Sequence, residues 1–536
     1  MKTVPDIILH NGNIQTQDNF HPTAQAVAIS GSQILSIGSN SEILGLASKK
    51  TNVIDLDKKL VLPGFIDTHF HFYEWALNYD SINFSHVCSF KEMEEAVLKK
   101  VLVTEKGNWI LGHGFNESDW PENKIPDKYD LDRIAPDNPV CIWRCDLHLG
   151  VANSLGLKLA GINSKTPDPK DGVIVKDALK NPTGVLKELA LNLIRNVLPG
   201  LSQAKVLENM QKAVGDAHEL GLTSIHDIRL MGGIEGADAL KAWQSLRRKN
   251  KLHIRCHVAL PGEMTNQAVD LGLFTGFGDD LLKIGYLKFF ADGGMGARTG
   301  WMTEKYLDAD FGMPLTPVEE IEKAALKADQ AGLSVMVHTI GDRAGKEIIG
   351  MFQRIENHGP TMCIIPHRLE HVQMILPEDL KRLSALKNIA VSCQPNNLSL
   401  DISMIDYCAG PRGKYAYNLK NILKTGVPLM LSSDAPVADP NPMAGIYSAV
   451  NRKRMDHTPE KGWYMEQALS VEEAVKGYTI TPAAATGTGD RLGSISKGKL
   501  ADMIVLDRDI FKINPSQIAE TKIDLTLFNG RIVYER

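Results

Sequence analysis

Eight short apolar runs recur through the middle of this 536-residue chain, and they restrict its fold more than any other feature. They lie at 61–66, 222–226, 254–260, 284–290, 333–338, 364–371, 389–393 and 427–432. Stretches with helical periodicity, such as 317–331 and 377–386, separate most of them. Buried strands alternating with amphipathic helices indicate a parallel sheet covered by helices, an α/β fold. Eight such units predict a (β/α)8 TIM-like barrel, which carries its active site at the C-terminal ends of the strands.

The two ends of the chain follow another pattern. Residues 1–60 contain short alternating strands punctuated by Asn11-Gly12 and Ser30-Gly31 turns. Near the C-terminus, Leu527-Phe528-Asn529-Gly530-Arg531-Ile532 closely repeats Leu9-His10-Asn11-Gly12-Asn13-Ile14. Residues 1–60 plus 493–536 are therefore expected to form one composite β-sandwich domain, with the barrel, 61–492, inserted between its halves. Within the barrel, residues of about 74–205 are too many for a structureless loop. They include strand-like runs at 109–116 and 139–146, and predict an inserted subdomain after the first barrel strand. Such an insertion at the catalytic face suits a lid or a substrate-shaping role; the alternative is a contact that builds a homodimer.

Charge and cysteine usage narrow the function. The formal net charge of −5 disfavours nucleic-acid and membrane-surface partners and leaves a small molecule as the expected substrate. No apolar run is long enough to span a bilayer, and the first residues lack the apolar core of a signal peptide. The seven cysteines form no Cys-x-x-Cys pair and fall mostly in apolar runs. That predicts reduced thiols and a cytoplasmic location, without a disulfide framework.

The chemistry gathers at the strand ends. The first apolar run leads into His69-Phe70-His71, and residues two apart on an extended segment point to the same side. His338, His371 and Asp434 stand at the ends of three later strands, and Lys288 lies inside a fourth. In a closed barrel these positions converge. Imidazole and carboxylate ligands suit Zn2+, with Mn2+, Fe2+ or Co2+ as alternatives. An ammonium cannot bind a cation, so Lys288 is the anomaly. Either it loses its proton and reacts with CO2 to give a carbamate that bridges two metals, or it is a buried amine paired with Asp292 or Asp434.

With these pieces in hand, the chain resembles the amidohydrolase superfamily, and within it the amidohydrolase-3, YtcJ-like branch of metal-dependent hydrolases. The resemblance rests on residues 63–71, 112–117, Lys288–Gly293, 338–344, Leu369–Gln373 and 433–437, which run in family order. It implies that His69 and His71 hold the more buried of two metals together with Asp434. It further implies that His338 and His371 hold the second, and that carboxylated Lys288 bridges the pair. The expected reaction is hydrolysis of a non-peptide carbon–nitrogen bond, in an N-acyl or N-formyl amide, by metal-activated hydroxide. Asp434 is expected to act as general base and then acid. His148, Asn153, Asp292, Gly293, Gln394 and Arg412 are candidate substrate contacts, each also explicable by a structural role. Rival readings are hydrolysis of a cyclic amide, carbamate or ester at the same centre, or a binding protein that keeps the fold without turnover. No Gly-x-Ser-x-Gly elbow supports a serine hydrolase.

Overall fold

A computed structural model describes residues 4–233 and 235–536. Its central sheet has eight strands, all parallel: β1 (Phe65–Phe70), β2 (Leu222–Asp227), β3 (Arg255–Pro261), β4 (Leu282–Phe290), β5 (Val335–Thr339), β6 (His367–His371), β7 (Ile389–Cys393) and β8 (Leu429–Leu431). Each strand pairs with the next in sequence, so the sheet curls into the expected barrel. The seam between β8 and β1 is bridged by the Thr68 hydroxyl on the Leu431 carbonyl (3.4 Å) and by two backbone bonds. These run from the Asp434 amide to the His69 carbonyl and from the His71 amide to the Ala435 carbonyl, both 2.8 Å. The seam therefore closes through the residues expected to carry the chemistry.

Helices cover the outside of the barrel because one stripe of each is apolar. Ile321, Ala325 and Ala328 of the helix Val318–Gln330, and Ile348, Phe352 and Ile355 of the helix Asp342–His358, belong to one core with Val335, Val337 and Leu369. Each fully buried Ile or Leu there contributes about 1.5–3 kcal/mol. The chain supplies its own punctuation. The Ser202 side chain accepts from the Lys205 amide and starts the helix Gln203–Glu219, and Pro377 opens Pro377–Leu383.

The first apolar run divides at Gly64, which corrects the strand expected at 61–66. Leu60–Pro63 lies outside the barrel. It pairs antiparallel with Met503–Leu506, Leu62 opposite Ile504, and parallel with Asn13–Gln15. Only from Phe65 does the chain join the barrel. The break has a steric cause: a Cβ on residue 64 would sit 2.3 Å from the Thr223 hydroxyl oxygen. The Gly64 amide meanwhile donates to the Asp502 carbonyl at 3.0 Å. Strands from both termini thus share a six-stranded sheet, Arg531–Glu535, Ile523–Phe528, Met503–Leu506, Leu60–Pro63, Asn13–Gln15 and Thr23–Ala24. A four-stranded sheet of Gln33–Gly38, Ala26–Ser30, Ile7–His10 and Asn52–Asp55 accompanies it. Leu9, Val27, Ile29, Val61, Met503 and Leu527 form a common core. A buried ion pair, Arg255 Nε to Asp502 at 2.6 Å, fastens these strands to the barrel.

Between β1 and β2 the chain builds a third sheet of six strands, from Ile82–Asn83 to Gly172–Lys176, with its own apolar clusters. It stands over the C-terminal mouth of the barrel, and an Asp119–Arg454 ion pair (2.5 Å) ties it to the segment after β8.

Candidate metal centre

His69 lies on β1, fully buried, and its orientation is fixed from behind. Its Nδ1–H donates to Glu370 Oε2 at 2.5 Å, which turns the Nε2 lone pair towards Asp434 Oδ1, 3.3 Å away. His71 follows the strand end, and its Nε2 is also 3.3 Å from Asp434 Oδ1. His371 and Asp434 each adopt a positive φ, 65° and 62°. This uncommon backbone matters. Simple alternation would put Glu370 and His371 on opposite faces of β6, but the turn at His371 swings its ring back beside that of His69, at 4.7 Å. The His371 Nδ1–H donates to Gln394 Oε1 at 2.8 Å, so its Nε2 also presents a lone pair.

The donor set fits a divalent cation. One ligand atom each from His69, His371 and Asp434 lies within 4.8 Å of the others. His69 Nε2, His371 Nε2 and Asp434 Oδ1 are all buried without a hydrogen-bond partner. Burying such atoms unpaired is unfavourable, and bound divalent cations would satisfy them. The His338 ring adjoins that of His371 at 4.5 Å, with Nε2 3.3 Å from the Gly293 carbonyl.

Electrostatics favour the forms that bind metal. Burial drives the His69 and His338 imidazoles well below their ordinary range, and holds His371 down at about 3. Burial also pushes Asp434 up, but the adjacent His71, His371 and Lys288 side chains outweigh it and keep the carboxylate ionised. Lys288 on β4 is buried, and its Nζ has no hydrogen-bond partner. Burial lowers its pKa to about 8 against the opposing pull of Glu370 and Asp434. The pairing of Lys288 with Asp292 or Asp434 is not made. Asp292 is engaged instead by the backbone amides of Ile340, Gly341 and Trp301 at 2.7–2.9 Å.

The candidate substrate contacts separate into groups. His148 lines the cavity beside the cluster, its ring 5.3 Å from that of His338. Burial lowers its pKa, but the Glu188 carboxylate at 2.7 Å overcomes this and raises it to about 9. Gln394 also lines the cavity, and its side chain orients His371. Asp292 and Gly293 support the loop beside His338. A Cβ at Gly293 would meet Glu188 Oε1 and the Thr299 hydroxyl at 2.3 Å, so this glycine is required by packing. Two candidates lie elsewhere. Asn153 is buried in the inserted sheet, where its side chain caps the helix Ser154–Leu159 and binds the backbone of Val140, Ala135 and Asn138. Arg412 spends its guanidinium on the carbonyls of Glu304 and Lys305 near the surface. Both are structural: polar side chains in loops serve backbone groups more often than ligands.

Sequence reasoning missed Glu370 and Glu188. Glu370 is bracketed by His69, Arg368 (2.7 Å) and Lys288. Its placement inside an apolar strand, one residue before His371, was the available signal. Glu188 ends a strand of the insertion, and nothing local marks it.

An eight-stranded parallel barrel with this histidine–carboxylate–lysine cluster at its C-terminal mouth defines a metal-dependent hydrolase. Residues 52–534 match the sequence profile described as the amidohydrolase family, and the chain belongs to that family. It is 32% identical to YtcJ of Bacillus subtilis (strain 168) over 99% of both chains. It is 28% identical to an N-substituted formamide deformylase of Arthrobacter pascens over 100% of this chain and 99% of that one. Among solved structures, an uncharacterized metal-dependent hydrolase of Pyrococcus horikoshii superposes with a TM-score of 0.76 at 26% identity, covering 95% of this chain and 99% of the other. The protein is thus an enzyme acting on carbon–nitrogen bonds other than peptide bonds. No described helix is long and apolar enough to cross a membrane.

Proposed function

We propose that this amidohydrolase cleaves an N-acyl or N-formyl amide of a small molecule, using two Zn2+ ions. His69, His71 and Asp434 would hold one, and His338 and His371 the other. Lys288, carboxylated on Nζ, would be a ligand common to both. When bound, the cations supply Lewis acidity, which makes water a nucleophile near neutral pH and polarises the carbonyl. The chain's own residues do the rest. Asp434 offers Oδ1 as ligand. Its Oδ2, with Asn397 Nδ2 at 3.4 Å, takes the proton of the attacking water and returns it to the leaving nitrogen. His148, held charged by Glu188, orients the carbonyl from the cavity wall. Residues 1–60 and 493–536 serve as the supporting β domain, and the insertion at 74–205 shapes the substrate site.

The observation that carries this reading is the set of buried, unpartnered donor atoms on His69, His371 and Asp434 around a partnerless Lys288 Nζ. The similarity to a formamide deformylase favours the amide over other substrates. Metal analysis of the purified protein, with turnover of formamides by wild type and Asp434→Ala, tests it. The expected result is about two transition-metal ions per chain, and a variant that keeps metal but loses turnover by at least 1,000-fold, in line with general acid–base effects of about 10²–10⁴. Normal hydrolysis by Asp434→Ala refutes the mechanism.

A further inference from the structure

Two cavities meet at the mouth of the barrel, and they differ sharply. The inner one, beside His338, His371 and Asp434, encloses ≈ 50 Å3. That is on the order of two water volumes. The outer one, between the insertion and the segment after β8, encloses ≈ 710 Å3. Cys145, Leu400 and Val437 line both, so the large cleft and the small one adjoin along a common wall. Its apolar wall includes Trp75, Phe84, Val87, Pro440, Ala444 and Met455.

An amide carbonyl carries two substituents. With its carbon at the metal cluster, the tight inner cavity accepts one small group, and the second must leave through the shared wall. Charge restricts that second group. No lysine lines either cavity among the described residues. The outer cleft holds one arginine, Arg454, which is committed to Asp119 at 2.5 Å and lies 3.7 Å from Asp456. Against it stand three carboxylates, those of Asp119, Asp439 and Asp456. In the inner cavity His148 is matched by Glu188, and Arg144 behind the wall by Glu117 and Asp146. Arg454 keeps one unpartnered nitrogen, Nη1, but the three carboxylates outnumber it, and the described lining of the cleft is net negative.

We propose that the outer cleft is the subsite for a bulky, apolar substituent that is uncharged or cationic, and that it excludes amides bearing a carboxylate. The substrate is one-sided: a small acyl group at the metals and a large amine portion in the cleft. This assignment of the halves rests on the amide reading above.

The test compares N-(2-phenylethyl)formamide with N-formylphenylalanine on the metal-loaded enzyme, a pair that differs only by the α-carboxylate. The expected kcat/KM favours the neutral compound by about 100-fold, as like-charge juxtaposition predicts. Ala444→Trp, which fills the cleft from the helix Pro442–Asn451, should reduce kcat/KM for N-(2-phenylethyl)formamide at least tenfold more than for N-methylformamide. Equal rates for the matched pair, or an Ala444→Trp effect independent of substrate size, overturn the proposal. Calorimetric binding of 2-phenylethylamine and of phenylalanine reads the cleft without turnover. The amine should bind, and lose at least tenfold in affinity in Ala444→Trp, while phenylalanine should not bind. That pattern without hydrolysis of either formamide sinks the amide reading and sustains the cleft assignment; equal binding of the two ligands sinks the cleft assignment.

Discussion

Replacing Glu370 with glutamine isolates what the buried residue behind the metal cluster contributes. The glutamate uses both oxygens: one accepts the His69 Nδ1–H at 2.5 Å, and the other forms an ion pair with the Arg368 guanidinium at 2.7 Å. All three side chains are fully buried. A glutamine has one oxygen and one NH2 group, so one of these two donors must face another donor. If the amide keeps Arg368, the His69 ring loses the partner that aims Nε2 at the cluster. If it keeps His69, the bond survives without its charge, while Arg368 retains only the Thr68 carbonyl (2.7 Å) and His226 Nδ1 (2.9 Å). A charge-assisted buried hydrogen bond is worth about 1.5–3 kcal/mol. At about 1.4 kcal/mol per factor of ten, Glu370→Gln should weaken metal binding by roughly 10–100-fold, the range seen when residues behind metal-bound histidines are changed. Competition with a chromophoric chelator measures Zn2+ affinity, and thermal unfolding checks the fold. A folded variant whose Zn2+ affinity lies within twofold of wild type would show that Glu370 does not orient His69.

Other predictions concern the frame. Gly64→Ala places a Cβ 2.3 Å from the Thr223 hydroxyl oxygen and 2.5 Å from its methyl carbon, and should destabilise the protein by about 1–3 kcal/mol. Adding Thr223→Ala should restore most of that loss in thermal unfolding, and no recovery would place the strain elsewhere. Arg255→Met leaves the buried Asp502 carboxylate unpaired and should cost about 3–5 kcal/mol, read as a lowered Tm that Asp502→Leu in the same chain largely recovers. His218 donates from Nε2 to the His253 carbonyl at 2.8 Å, and burial lowers its pKa to about 4 from 6.5. The folded state therefore resists protonation that the unfolded chain accepts. Its stabilisation is complete above pH 6.5 and is lost as pH falls towards 4, by about 3 kcal/mol in all. The Tm of wild type should accordingly drop below that of His218→Gln on going from pH 7 to pH 5; parallel curves would refute the assignment.

The sequence by itself determined the barrel, because its evidence is local and repeats. Eight apolar runs separated by amphipathic helices leave few other ways to bury both faces of the strands. It also pointed to His69, His71, His338, His371, Asp434 and Lys288, because polar residues at the ends of buried strands stand out against their surroundings. Only the tertiary structure decided the division at Gly64, since the obstacle is Thr223 on a neighbouring strand more than 150 residues away. It alone revealed Glu370 as the residue that orients His69, and Glu188 as the partner of His148, because both act on groups remote in the chain. It also removed Asn153 and Arg412 from the site: whether a polar side chain serves a ligand or a backbone group depends on what lies within 3 Å of it. The turned backbone at His371 and Asp434 gives the physical reason in small. Periodicity assigns a side chain to a face, but a positive φ at a strand end overrides it, and such a conformation persists only where the surrounding fold holds it.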